Sequence, residues 1–154
     1  MTDTRSYRDA LGRYPTGVAI VTAFDGAQAV GMTVNSFASV SLEPPLVLWS
    51  LERDTTRYGL FRNARAYAIN VLAHDQAPLA QACAQEADLL ACGVDWDGGT
   101  APLVDGAVAR FLCRQDVVHT SGDHDIILGC VTEFDMPRDV PALTFYRSGY
   151  CEPG

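Results

Sequence analysis

The chain has 154 residues, 48% of them hydrophobic and 19% charged, and its eleven cationic residues are all arginines. This length and composition are ordinary for a single globular domain, residues 1–154, that buries a core without disulfides or metals. The net charge of −8 argues against nucleic-acid binding, and the missing lysine excludes a P-loop lysine, a Schiff base and a lysine general base.

The cysteines and the N-terminal residues indicate where the protein works. Five cysteines stand singly at wide spacing, without the CxxC pairs of zinc or redox sites, and their odd number fits reduced thiols. The N-terminal residues are too polar for a signal peptide, and no apolar run reaches the length of a membrane span. We therefore expect a cytoplasmic protein with no metal site and no membrane contact.

Short apolar runs separated by turn residues dominate the chain. Helices are predicted over residues 4–13, Thr55–Ala64 and Pro78–Glu86. The predicted strands are Val18–Phe24, Ala29–Thr33, Leu46–Leu51, Tyr67–Leu72, Ala107–Val118, Asp125–Phe134 and Ala142–Tyr146. Because strands and helices do not alternate regularly, the pattern favours a mainly β barrel with two or three short α-helices.

The polar segment Gly31–Pro45 interrupts this apolar pattern. It is rich in short hydroxyl and carboxamide side chains and has no positive charge. These polar side chains are Thr33, Asn35, Ser36, Ser39 and Ser41, and Ser50 follows shortly after. Such groups suit a diphosphate, a sugar-like chain or a flat heterocycle with carbonyls along one edge. The alternative is a serine-rich edge strand followed by a turn.

A second polar group, Thr55-Thr56-Arg57, lies at the predicted start of the second helix. Helix amides, threonine hydroxyls and an arginine together form a favourable anion site. Asp54 or Thr55 is the expected N-cap of this helix. The alternative is a capped helix with arginines on its surface.

A third polar group, residues 121–125 with the sequence SGDHD, separates the last two long strands. His124 has a carboxylate on either side, and carboxylates that are close in space favour a protonated imidazole. The histidine is suited to bind or orient a carboxamide or a phosphate, and a simple polar turn is the alternative. His74 and His119 lack such neighbours, so we expect them to be structural or surface residues.

Taken together, these segments resemble the short-chain flavin reductase family, whose members resemble the reductase components of two-component flavin-dependent monooxygenases. The matching segments follow the family's order: an opening strand, a flavin-binding segment, a core strand, a loop and a GDH motif. In this chain they are Tyr14–Thr22, Gly31–Phe37 with Ser41–Pro45, Tyr67–Leu72, Gly93–Trp96 and Gly122–His124. The resemblance spans nearly the whole chain.

The resemblance implies a fold and an activity. The fold is a split β-barrel of Greek-key type, usually a homodimer with flavin held near the subunit interface. The activity is hydride transfer from NADH or NADPH to FMN or FAD, which needs neither a metal nor an activated nucleophile. Reduced flavin would then pass to a partner monooxygenase or another acceptor.

The resemblance also implies site residues. The flavin ring edge and ribityl chain would be lined by Thr33, Val34, Asn35, Ser36, Ser39, Val40 and Ser41, with Ser50 on the neighbouring strand. Thr55, Thr56 and Arg57 would hold the flavin phosphate, although family members often carry serine or threonine where Arg57 stands. His124 would lie beside the nicotinamide and is the catalytic candidate.

Two other functions remain open at this point. A related flavoprotein of the same fold would act on its own bound organic substrate without releasing flavin. A flavin- or haem-binding module would hold its cofactor without turnover.

Overall fold

The computed structural model describes residues 3–151. The helices are α1 (Thr4–Leu11), α2 (Tyr58–Asn63) and α3 (Ala77–Gln85). The strands are β1 (Thr16–Gly17), β2 (Ala19–Asp25), β3 (Gln28–Val34), β4 (Ala38–Leu42), β5 (Pro45–Glu52), β6 (Ala66–Val71), β7 (Trp96–Asp97), β8 (Leu103–Val104), β9 (Ala109–Ser121), β10 (His124–Asp135), β11 (Thr144–Tyr146) and β12 (Gly149–Cys151). The described part of the chain is therefore mainly β with short helices, as the sequence predicts.

Seven strands form one antiparallel sheet in the order β3-β2-β6-β9-β10-β5-β4. Strands β1, β11 and β12 form a small second sheet, and β7 pairs with β8. Along the first half of β10, buried and half-buried residues alternate, because successive side chains on a strand point to opposite faces. This alternation decides which residues of β10 can reach a surface site.

The two edge strands of the large sheet, β3 and β4, are joined directly by only three residues, Asn35–Phe37. Such a link spans at most about 14 Å when extended, whereas the edges of a flat seven-stranded sheet would be about 29 Å apart. The sheet must therefore curve until its edges approach each other. Among residues 3–151 the two edge strands do not pair with each other, so the sheet stays open.

Apolar side chains pack on both faces of this curved sheet. Val21 belongs to one cluster with Trp49 and Phe61, whose rings meet edge to face with centroids 5.6 Å apart. Ile20, the preceding residue on β2, belongs to a second cluster that includes Cys83 of α3. Full burial of a large apolar side chain contributes about 1.5–3 kcal/mol. Phe61 and Cys83 thus anchor α2 and α3 to opposite faces, which fixes the segments next to those helices.

The structure differs from the sequence prediction at two places that affect the site. The polar segment divides into two strands, because Ser36 turns towards β5 and its Oγ accepts a hydrogen bond from the Ser50 amide at 2.9 Å. The helix predicted over Thr55–Ala64 begins only at Tyr58. Its N-cap residue is Arg57, without a side-chain cap, so the expectation that Asp54 or Thr55 caps this helix is wrong.

The remaining differences concern the ends of the chain and one loop. Helix α1 follows Asp3, whose carboxylate accepts from the Arg5 amide at 3.1 Å. Strands β1, β12 and the β7–β8 pair are short, and the sequence pattern did not predict them. Within the part of the chain that the structure describes, no helix has the length and apolar character to span a membrane.

Candidate functional site

A polar cavity lies between the edge strand β3 and the strands β5 and β10 of the curved sheet. Its volume is about 180 Å³, and it is lined by Met32, Thr33, Val34, Asn35, Ser36, Ser50, Glu52 and His124. Strands β5 and β10 are far from β3 in the strand order, so the curvature of the sheet brings these residues together. Three separate polar segments of the sequence therefore meet at one site.

Strand register sets the side of the cavity that β5 and β10 form. Ser50 and Glu52 are two residues apart on β5, so their side chains point to the same face. His124 begins β10 directly opposite Glu52. The turn before it holds Gly122 at a φ of 66°, which glycine adopts without strain and which is typical of the first central position in a tight hairpin. The hairpin therefore fixes the imidazole beside the cavity.

Two hydroxyls at the site are already used inside the protein. Thr33 Oγ1 donates to the Ala80 carbonyl at 2.7 Å and fastens β3 to α3. Ser36 Oγ accepts from the Ser50 amide at 2.9 Å. The Asn35 carboxamide and the Ser50 hydroxyl form no hydrogen bond within residues 3–151. Of the hydroxyl and carboxamide groups that line this cavity, these two are therefore free to contact a ligand.

Arg57 connects the segment before α2 to both β3 and α3. Its guanidinium donates to the carbonyls of Gly31 at 3.0 Å, Cys83 at 2.7 Å and Ala84 at 3.4 Å. No carboxylate among the described residues forms an ion pair with it, and its hydrogen-bond partners there are backbone carbonyls. A cation in this state is well suited to attract a phosphate.

A second cavity of about 180 Å³ adjoins the first at the end of β3. It is lined by Val18, Thr33, Val34, Asn35, Ala84, Phe145 and Tyr150. The rings of Phe145 and Tyr150 pack with centroids 5.4 Å apart. Because the Ala84 carbonyl accepts from Arg57, the arginine lies next to this cavity. The two cavities together offer polar, aromatic and cationic groups around Asn35.

His124 contacts one of the two carboxylates that flank it in the sequence. Its Nδ1 lies 2.7 Å from Oδ1 of Asp123, and this hydrogen bond holds the pKa of the Asp123 carboxyl below its ordinary value. Asp125 points into the core on the opposite face of β10 and accepts from the Tyr58 hydroxyl at 2.5 Å. Of the two carboxylates that flank His124 in the sequence, Asp123 contacts the imidazole and Asp125 does not.

The other predicted site residues lie outside these two cavities. Residues 39–41 belong to the edge strand β4, which lines neither of them. Thr55 Oγ1 accepts from the Arg57 amide at 3.3 Å, which leaves its own O–H free to donate. Thr56 is exposed. Of the segment Thr55–Arg57, Arg57 lies next to the second cavity, because its guanidinium donates to the Ala84 carbonyl.

Sequence reasoning missed several residues that line the site. Glu52 could have been found, because it follows Ser50 at the strand period of two. Met32 lines the same cavity but has no distinctive signal beyond its position on β3. Phe145 and Tyr150 come from the C-terminal strands, and no local pattern connects those strands to the polar segment.

The residues at the site fit a flavin nucleotide. The uncharged Asn35 carboxamide and Ser50 hydroxyl match the hydrogen-bonding edge of a flat ring system. Met32 and Val34, both half-buried, offer apolar contact to such a ring. The Arg57 guanidinium supplies a positive charge suited to the phosphate. The chemistry of this donor set therefore agrees with the resemblance noted in the sequence.

These features place the chain among mainly β proteins that hold a polar cavity between distant strands of a curved sheet. The chain belongs to the flavin reductase like domain family, whose family model matches residues 11–154.

Individual relatives agree with this family. The chain is 45% identical over 130 residues to FMN reductase (NADH) SmoA of Agrobacterium fabrum, a match that covers 82% of this chain and 74% of that one. It is 34% identical over 151 residues to the reductase subunit HsaB of a flavin-dependent monooxygenase of Rhodococcus jostii, covering 96% and 77% of the two chains.

A solved structure and the lengths of other relatives complete the comparison. The structure of Streptomyces globisporus NADH:FAD oxidoreductase SgcE6 in complex with NAD and FAD fragments matches with a TM-score of 0.92. That match has 34% identity and covers 99% of this chain and 93% of the other. The chain spans about half the length, 49% in each case, of relatives from Rhizobium meliloti and Acinetobacter baylyi.

Proposed function

We propose that this chain is an NADH-dependent flavin reductase that transfers hydride to FMN or FAD and supplies reduced flavin to a partner monooxygenase. One observation carries the proposal: Asn35, Ser50 and His124, from three separate segments, line one cavity. Its relatives support it, since they are named as an FMN reductase (NADH), a monooxygenase reductase subunit and an NADH:FAD oxidoreductase.

The named relatives favour NADH over NADPH. They include an FMN reductase (NADH) and an NADH:FAD oxidoreductase. We therefore propose NADH as the reductant.

The ring end of the site would work through uncharged contacts. A bound flavin supplies the hydride acceptor, so the chain has to orient two flat rings rather than provide a nucleophile. The Asn35 carboxamide and the Ser50 hydroxyl would donate hydrogen bonds to the carbonyl edge of the ring. Such preorganised donors stabilise negative charge that develops during the reaction.

Polar side chains on either side of the ring would hold the flavin phosphate and the nicotinamide. Arg57, with the hydroxyls of Thr55 and Thr56, would bind the flavin phosphate. His124, restrained by its hydrogen bond to Asp123, would contact the nicotinamide.

We also propose that residues 1–154 form one split β-barrel domain of Greek-key type, which works as a homodimer in the cytoplasm. The three-residue link between the sheet edges supports the barrel, and five free thiols fit a reducing compartment. Val40 and Leu42 of β4, whose outer edge has no neighbouring strand among residues 3–151, are 46% and 94% exposed, which favours coverage by a second copy. Such coverage would also bury residues 39–41. Light scattering should report twice the mass of one chain, and Leu42→Asp should lower it.

Steady-state oxidation of NADH by the purified protein tests the function. Added FMN or FAD should raise the rate until it saturates. Oxidation that requires one organic substrate, and not free flavin, would instead support a flavoprotein that acts on its own bound substrate. No oxidation despite a bound chromophore would leave a binding module without turnover.

The role of His124 has a separate test. His124→Ala should raise the KM for NADH about tenfold, because nicotinamide orientation is lost, and should leave the Kd for FMN unchanged. His119→Ala, at an exposed position on β9, is the matched control. An unchanged KM for NADH would remove His124 from the site.

A further inference from the structure

A buried carboxylate lies on the opposite face of β10 from the cavity, next to His124 in the chain. The Asp125 side chain is 1% exposed, and its Oδ2 accepts from the Tyr58 hydroxyl at 2.5 Å. Arg62 Nε lies 3.6 Å from the same oxygen, while Oδ1 has no partner in the described part of the chain. A buried carboxylate with an unsatisfied oxygen is costly, and an apolar residue often serves stability equally well. We therefore expect Asp125 to have a role other than stabilising the fold.

The turn that carries His124 is tied to the segment before α2 at two further points. The Arg53 amide donates to the Asp123 carbonyl at 3.0 Å. Arg53 Nη1 donates to the Gly122 carbonyl, also at 3.0 Å. His124 thus follows a turn that is bonded to Arg53 and precedes Asp125, which is bonded to Tyr58. These hydrogen bonds on either side of His124 set its position.

We propose that Tyr58, acting through Asp125, is a positioning residue for His124. The hydrogen bond between Tyr58 and Asp125 fixes the start of β10 against α2 and so fixes where the imidazole stands beside the cavity. This inference rests on the proposed function, in which His124 contacts the nicotinamide. It also joins the two ends of the site, because Tyr58 directly follows the segment Thr55–Arg57.

The phenol of Tyr58 is suited to this role. Its hydrogen bond to the Asp125 carboxylate raises the pKa of Tyr58 above the ordinary value, so the hydroxyl remains a donor at neutral pH. Arg62, with a half-exposed side chain at 3.6 Å, is a weaker partner for the same oxygen. Removing the phenol oxygen therefore takes away the principal restraint on the Asp125 side chain.

The first test observes the imidazole directly and needs no turnover. The chain has three histidines, and their ring signals in nuclear magnetic resonance spectra can be identified with the His124→Ala variant. Tyr58→Phe, measured without flavin or NADH, should shift the His124 signals and leave those of His119 in place. Unshifted His124 signals would overturn the proposal.

The second test is a double-mutant cycle on NADH kinetics. Tyr58→Phe should raise the KM for NADH about tenfold in the wild-type background and leave the Kd for FMN unchanged. It should have no further effect in the His124→Ala background, because its influence passes through the imidazole. Equal effects in both backgrounds would mean that Tyr58 only stabilises the fold, which overturns the proposal. Tyr14→Phe, at a side chain 76% exposed, is the matched control.

The two tests distinguish this inference from the proposed function. If the wild-type protein oxidises no NADH with any flavin, the proposed function fails, while the imidazole signals still decide the link between Tyr58 and His124. If Tyr58→Phe does not fold, Asp125→Asn offers a second variant of nearly the same shape. It should shift the same His124 signals, and unshifted signals would again overturn the proposal.

Discussion

Arg57→Met is the sharpest test of the phosphate end of the site. The substitution removes the positive charge together with the hydrogen bonds to the Gly31 and Cys83 carbonyls. A hydrogen bond to a charged group contributes about 1.5–3 kcal/mol. Loss of such a bond to phosphate should therefore weaken FMN binding by about 10- to 150-fold, since about 1.4 kcal/mol corresponds to a factor of ten.

Titration with FMN and with riboflavin isolates this contribution, because the two ligands differ only in the phosphate. FMN should bind the variant more weakly, whereas riboflavin should bind wild type and variant with the same Kd. Arg57→Lys keeps the charge but not the planar guanidinium, so its FMN affinity should fall between the two. Arg65→Met, at an exposed position, is the matched control.

A structural contribution of Arg57 must be separated from ligand binding. The unpaired carbonyls of β3 and α3 should lower the free energy of unfolding by about 1–3 kcal/mol. Titrations therefore belong below the melting range of the variant, which a thermal melt defines. Equal losses of affinity for FMN and riboflavin would refute the reasoning, because Arg57 would then act by holding β3 to α3 and not by binding phosphate.

Three further predictions follow from the described contacts. Asn35→Ala should weaken FMN and riboflavin binding equally, by about 1–3 kcal/mol, and unchanged riboflavin titrations would contradict a ring contact. Gly129→Ala should lower the melting temperature, because the alanine Cβ would overlap the Tyr67 hydroxyl and lie 2.9 Å from Cζ of Tyr67. Adding Tyr67→Phe should restore part of the lost melting temperature. An unaltered melting temperature of Gly129→Ala would argue against this packing. The Arg110 guanidinium, 2.9 Å from Asp135, lowers the pKa of that carboxyl, so the pair stabilises the fold above the ordinary carboxyl pKa of about 4 and loses this contribution as pH falls through the folded-state value. Asp135→Asn should therefore lower the free energy of unfolding at neutral pH, and a deficit that persists in strong acid would exclude this explanation.

The hairpins of this fold could be predicted because their signals are local. Asp25-Gly26 and Gly122-Asp123 are turn sequences between apolar runs, and both hairpins form in the structure. The sequence left open whether both carboxylates next to His124 lie close to it. Strand alternation sends Asp125 to the opposite face, so Asp123 is the one that contacts the imidazole.

The assembly of the site could not be predicted in the same way. Arg57 bonds to Gly31, 26 positions away, and Arg53 bonds to Gly122, 69 positions away, and no periodic pattern reports such pairings. Nor does a sequence show which hydroxyls are already engaged. Thr33 is a possible ligand contact by residue type, but its hydroxyl donates to a carbonyl of α3.

The short link Asn35–Phe37 has a consequence for which molecules can enter. This covalent link of fixed length limits how far β3 and β4 can move apart. It therefore restricts the thickness of a bound ligand more strictly than side-chain packing does. Core substitutions should therefore change how readily the protein melts without changing which ring systems it admits. Lengthening the link by one residue should instead let the two edge strands move apart and allow bulkier heterocycles to bind.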